Sequence, residues 1–104
     1  MFGNMFGDIE AKQKELQQKL TTITVTADAA DGAVTVTANA ARAIVNISID
    51  TTKIDVSDKE QLEDLLVVAI NNALEKAAIK EASESKKLLS DIMPPGLEGM
   101  FGGV

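Results

Sequence analysis

Apolar residues recur along the first part of the chain at Phe6, Ile9, Leu16, Leu20 and Ile23. With Gln13 counted in series the steps alternate between three and four residues, the seam of an amphipathic helix. Asp8 precedes Lys12 and Glu15 precedes Lys19 by four positions, the favourable order for helical acid–base pairs, and a helix is predicted over residues 5–21. The seam can be covered within one protomer or by a second copy, and the scarcity of other covering residues favours the second copy. The period then falls from about 3.5 to two in Thr21-Thr22-Ile23-Thr24-Val25-Thr26-Ala27, where β-branched side chains suit a strand better than a helix. After the turn signal Asp31-Gly32, alternation resumes in Ala33 to Ala38 and again in Ile44 to Asp50. These segments predict a three-stranded antiparallel meander within residues 22–50.

Ser57-Asp58-Lys59-Glu60 has the spacing of a capping box, which starts a second helix at 58. No Gly or Pro interrupts until Pro94-Pro95-Gly96, so this helix is expected to reach 92, roughly 50 Å at 1.5 Å per residue. A compact chain of this size has a radius of gyration of only about 13 Å, and the helix outgrows it. Leu62, Leu65, Leu66, Ala69, Ile70, Ala73, Leu74 and Ala77 share one stripe, whereas Val67 and Val68 fall outside it. Another surface must cover those valines, and a second protomer is the simplest supplier. From Lys80 to Lys87 no apolar face remains, so that stretch is expected to project into solvent as an arm. Leu88, Leu89, Ile92 and Met93 make a small apolar patch before a Pro- and Gly-rich tail over 93–104. The whole reads as one α+β domain, 1–104, in the order α-β-β-β-α.

Composition narrows the chemistry. The 104 residues include no Cys, no His, no Trp and no Tyr, with three Phe. Without imidazole or thiol the usual transition-metal sites and nucleophile–base pairs cannot be assembled, so neither enzyme activity nor a cofactor or metal is expected. Ser83-Glu84-Ser85-Lys86 contains an S-x-x-K spacing but lacks the accompanying elements of that enzyme class. Adjacent carboxylates such as Glu63 and Asp64 do not face each other on a helix and read as solvated residues. Gly32 stands alone between strands, so no phosphate-cradling glycine loop is present. Phe2, Phe6 and Phe101 read as terminal anchors rather than a base-stacking platform. The longest apolar run, Leu65 to Ile70, is six residues, and the N-terminal segment lacks the basic start and apolar stretch of a signal peptide. The expectation is a soluble cytoplasmic protein with no membrane and no small-molecule substrate.

Three segments together resemble the YbaB/EbfC family of bacterial nucleoid-associated proteins. They are Leu62 to Lys76, an acidic-apolar stretch leading into the Asn-x-Ala step Asn71-Asn72-Ala73, then Met93-Pro94-Pro95-Gly96-Leu97-Glu98-Gly99-Met100-Phe101, and Val34-Thr35-Val36-Thr37 followed by Val45 to Asp50. The resemblance implies a tweezers-like homodimer whose long helices are arms, and which binds double-stranded DNA in the nucleoid with little sequence preference. Two departures stand out. Asn39-Ala40 occupies a turn where family members often carry Asn-Gly, and the chain has one arginine, Arg42, with a net charge of -6. Acidic balance opposes a polyanion at long range, so contacts must come from local clustering.

Lys76, Lys80 and Lys87 lie within about 40° on a helical wheel and form a lysine stripe. They are the first candidates for DNA contact, with Lys86, Arg42 and Lys53 beside them. An ordinary solvated face in which Lys80 and Glu84 neutralise each other is the competing account of the stripe. Lys12 and Lys19, paired with acids four residues earlier, are weaker candidates. The candidate dimer-interface residues are Phe6, Ile9, Leu16, Leu20, Val67 and Val68. The alternative function is a dimeric protein-interaction module with weak or no DNA binding.

Overall fold

The computed structural model describes the backbone of residues 2–92 and the side chains of residues 7–91. Helix α1 (Phe2–Thr22) leads into strands β1 (Thr24–Ala29), β2 (Val34–Asn39) and β3 (Ile44–Ile49), and helix α2 (Lys59–Ile92) closes the order. The α-β-β-β-α succession is the expected one. The predicted tail, 93–104, lies outside the described residues, as does the side chain of Phe6.

The strands pair antiparallel in the order β1-β2-β3. Asp31 and Gly32 both take positive φ, 53° and 88°, between Ala30 and Ala33, whose amide donates to the Ala30 carbonyl at 3.2 Å. That is the mirror-image turn the Asp-Gly pair favours. The second turn is differently shaped: β2 and β3 are linked through 40–43, with Arg42 at φ 64° and the Ala43 amide donating to Asn39 Oδ1 at 3.0 Å. A β-bulge follows. Thr37 faces Asn46 while Ala38 faces Ile44, which leaves Val45 as the extra residue.

Small side chains build the core. Ala27, Ala29, Val34, Val36 and Ala38 line one sheet face, and Ala69, Ala73 and Ala77 of α2 lie against them at helical spacing, all buried. Leu62, Leu65, Leu66 and Ile70 flank this contact half-buried. The predicted stripe of α2 is therefore the buried one. α2 covers β1 and β2.

It starts one residue later than the capping box suggests. Gln61 N donates to Asp58 Oδ1 at 3.2 Å, which makes Asp58 the cap, while the Ser57 hydroxyl donates to Asp55 Oδ1 at 2.6 Å instead. The helix then extends well past the sheet, giving a radius of gyration of 19.0 Å and extents of 63 × 29 × 17 Å.

Candidate nucleic-acid interface

Beyond the sheet, α2 does not project alone. α1 runs beside it, so that Leu16 and Leu88 share one cleft and Ile9 joins Leu88 and Leu89 in a neighbouring groove. The expected solitary arm is thus corrected to a pair of helices. Between them, beside those apolar contacts, sits Glu84, a carboxylate only 4% exposed. Lys19 Nζ of α1 donates to Glu84 Oε2 at 2.9 Å, and Lys87 Nζ lies 3.4 Å from Oε1. Glu84 therefore pairs with Lys19 and Lys87, where the sequence suggested Lys80, and Lys19 pairs with Glu84 where the sequence suggested Glu15.

The lysine stripe also changes meaning. Ala69 and Ala73 fall in the same roughly 60° sector as Lys76, Lys80 and Lys87, so the stripe continues the sheet-facing side of α2 rather than its outer side. Lys76 reaches the sheet edge and donates to the Thr26 carbonyl at 2.9 Å. That acceptor is neutral, so the charge of Lys76 stays uncompensated. Lys80 is half-buried and Lys86 exposed, and neither has an ion-pair partner among the described residues. Arg42 pairs with Glu81 at 3.2 Å, which ties the β2–β3 turn to α2. Lys53 donates to the Asp31 carbonyl at 2.9 Å in the other turn. Those two turns lie at opposite ends of β2, about 17 Å apart at 3.4 Å per residue, so Lys53 does not join the other five.

Charge is unevenly distributed between the elements. Segments 8–19 and 76–91, the two sides of the arm, carry seven lysines against six carboxylates. The stretch 24–75, with the sheet and the first half of α2, carries three basic against nine acidic side chains. The acidity belongs to the head of the molecule, and the arm is slightly basic. Lys12 and Lys19, set aside on sequence grounds, stand on that arm together with Lys14. Lys12, Lys19 and Lys87 line one cleft with Glu15, Glu84 and Asp91.

The candidate interface residues divide in two. Leu20 is fully buried in its own protomer, and the Ala40 amide donates to its carbonyl at 3.1 Å, so it is a core residue with no seam to offer. Ile9 and Leu16 are half-buried against α2, whereas Val67 and Val68 stand open at 58% and 49% exposure. The sequence missed a larger open surface. Ile44, Ile47 and Ile49 sit opposite Ala38, Val36 and Val34, so they continue the core face of the sheet onto β3. They remain 37% to 43% exposed. Alternation within Ile44-Val45-Asn46-Ile47-Ser48-Ile49 was the signal available for it.

The Lys19 hydrogen bond, aided by Lys87, holds the Glu84 carboxyl below its ordinary value of 4.5. Asp50 and Asp55 are lowered too, by the hydroxyls and amides of Thr52 and Ser57. A carboxyl with a depressed folded-state pKa contributes stability that is complete above its unfolded value and is lost as pH falls through the folded one. Thermal melts should therefore move to lower temperature as pH drops from about 6 to about 3, and Glu84→Gln should flatten part of that dependence. An acid-insensitive melting temperature would contradict the assignment.

Among the described residues no helix is long and apolar enough to cross a membrane, and no group of three His, Cys, Asp or Glu is arranged to hold a metal ion.

The model of the YbaB/EbfC DNA-binding family matches residues 2–92. The chain belongs to that family. Among its relatives, a "Nucleoid-associated protein" of Pelotomaculum thermopropionicum is 37% identical over 103 residues, covering 93% of this chain and 98% of that one. Another of that name, from Moorella thermoacetica, is 39% identical over 86 residues, covering 83% of each. A crystal structure of an uncharacterized Helicobacter pylori protein superposes with a TM-score of 0.69 at 23% identity, covering 86% of this chain and 97% of that one. It shares the fold.

Proposed function

We propose that this protein is a nucleoid-associated, cytoplasmic protein that binds double-stranded DNA with little sequence preference, as a homodimer whose paired-helix arms hold the duplex. The observation that carries the reading is the segregation of charge in a member of a DNA-binding family, with the excess acid confined to the head and the arm left slightly basic. At physiological salt a lysine feels mainly what lies within a Debye length of about 8 Å, so the distant acidic head does not cancel the arm. On the α2 side of the arm, Lys76, Lys80 and Lys86 supply the charges with no ion-pair partner among the described residues, while Lys87 and Arg42 reach phosphates only in competition with Glu84 and Glu81. Lys53, at the far turn, is a peripheral contact at most. Lysines reading phosphates carry no base information, hence the indifference to sequence.

The dimer is supported by the uncovered core face on β3 and by the open Val67 and Val68. A second copy seated there buries apolar surface that a monomer leaves in water. A second reading, a dimeric protein-interaction module, draws on the open groove of Ile9, Leu16, Leu88 and Leu89.

Salt separates the two. In a mobility-shift titration on random-sequence duplex, six phosphate contacts per dimer give a log–log salt slope of about -5, or a loss of about a thousandfold between 50 and 200 mM salt. Absence of a shift at low salt would refute the DNA reading, and salt-insensitive capture of a protein partner would favour the second.

A further inference from the structure

Glu84 is the one carboxylate of the arm that is buried, at 4% exposure, yet both of its lysine partners stand largely in solvent, Lys19 at 58% and Lys87 at 63%. One comes from each helix. The cleft they share with Lys12 also holds Glu15 and Asp91, so its three lysines are balanced by three carboxylates and would outnumber them if Glu84 were neutral. Packing does not require the carboxylate. A buried ion pair is commonly no more stabilising than an apolar residue of similar size, and Leu16 and Leu88 at the same cleft show that apolar side chains fit. What a carboxylate adds at this position is negative charge within a few ångströms of two candidate phosphate contacts.

Resting on the DNA reading above, we infer that Glu84 is a built-in competitor for phosphate: it draws Lys19 and Lys87 together on the arm and cancels one of their two charges. Duplex binding is thereby held weak and reversible. A phosphate approaching either lysine must share it with Glu84 and lies within the Debye length of that carboxylate. Glu84 touches no nucleic acid itself and acts through the two lysines.

The full chain carrying Glu84→Gln is titrated with random duplex at several salt concentrations, beside Glu84→Leu, which fills the buried site with an apolar group. Both variants should bind on the order of tenfold tighter at low salt. Their log–log slope should steepen by about 0.9 for each contact freed, a change that a merely structural role would not produce. The gain should vanish when Lys19→Gln and Lys87→Gln are added to Glu84→Gln. If the parent binds and the variants bind equally or more weakly, or if the gain survives loss of both lysines, the role of Glu84 is overturned alone. If neither parent nor variants bind at low salt, the DNA reading falls and this inference with it. Loss of helix content in both variants would make Glu84 a structural anchor and overturn the inference as well.

Discussion

Ile47→Glu is expected to yield an 11.0 kDa monomer in light scattering, and the unmodified protein a particle of about twice that mass. Ile47 lies opposite Val36 on the core side of the sheet, but on an edge strand that α2 does not cover, and it is 43% exposed in the protomer. A glutamate there meets water in the monomer, so the protomer fold should survive. In a dimer closed over β3 the same carboxylate would be buried without a partner charge, at a cost of several kcal/mol. That exceeds what a micromolar association of about 8 kcal/mol can lose and still persist at working concentrations. Val68→Glu makes the same test at the open apolar turn of α2. Unchanged dimeric mass in both variants would show that the open face is not where copies meet.

The second large effect concerns the arm. Replacing Lys76, Lys80 and Lys86 together by glutamate reverses the three lysines on the α2 side of the arm that have no ion-pair partner among the described residues, and duplex binding should be lost at every sequence tested. Lys87 is left in place because Glu84 needs it. With about six phosphate contacts removed per dimer, the salt-dependent part of the affinity disappears, a change of three decades or more at low salt. The variant should remain dimeric, since no residue of the β3 face changes. Undiminished binding would move the DNA site to the α1 lysines Lys12 and Lys14.

The fold was largely legible because its signals are local. The spacing of Ala69, Ala73 and Ala77, the Asp31-Gly32 turn and the absence of helix breakers between 59 and 92 each report on a few neighbouring residues. The cap was misread by one position, because Ser57 and Asp58 are both competent and only the pull of Asp55 on the Ser57 hydroxyl decides between them. The site was less legible. Lys19 and Glu84 are 65 positions apart, and Lys76 and Thr26 are 50 apart, so neither pairing leaves a trace in helical spacing. Leu20 belongs to the same heptad-like series as Leu16, yet the β2–β3 turn closes over it. Charge segregation was present in the sequence, hidden by summing over the whole chain.

The alanine bed beneath α2 also sets a lever. Ala69, Ala73 and Ala77 bring the helix axis close to the sheet through methyl groups, which have no rotamers with which to absorb a change in spacing. About fifteen residues of helix extend beyond Ala77, roughly 22 Å at 1.5 Å per residue. A tilt of about 5° at the alanines displaces the far end by about 2 Å, comparable to a hydrogen-bond length. The reach of the arm is therefore calibrated by one-carbon side chains more than 20 Å away from its tip, and a single added methylene at Ala73 would re-aim every lysine beyond it at once.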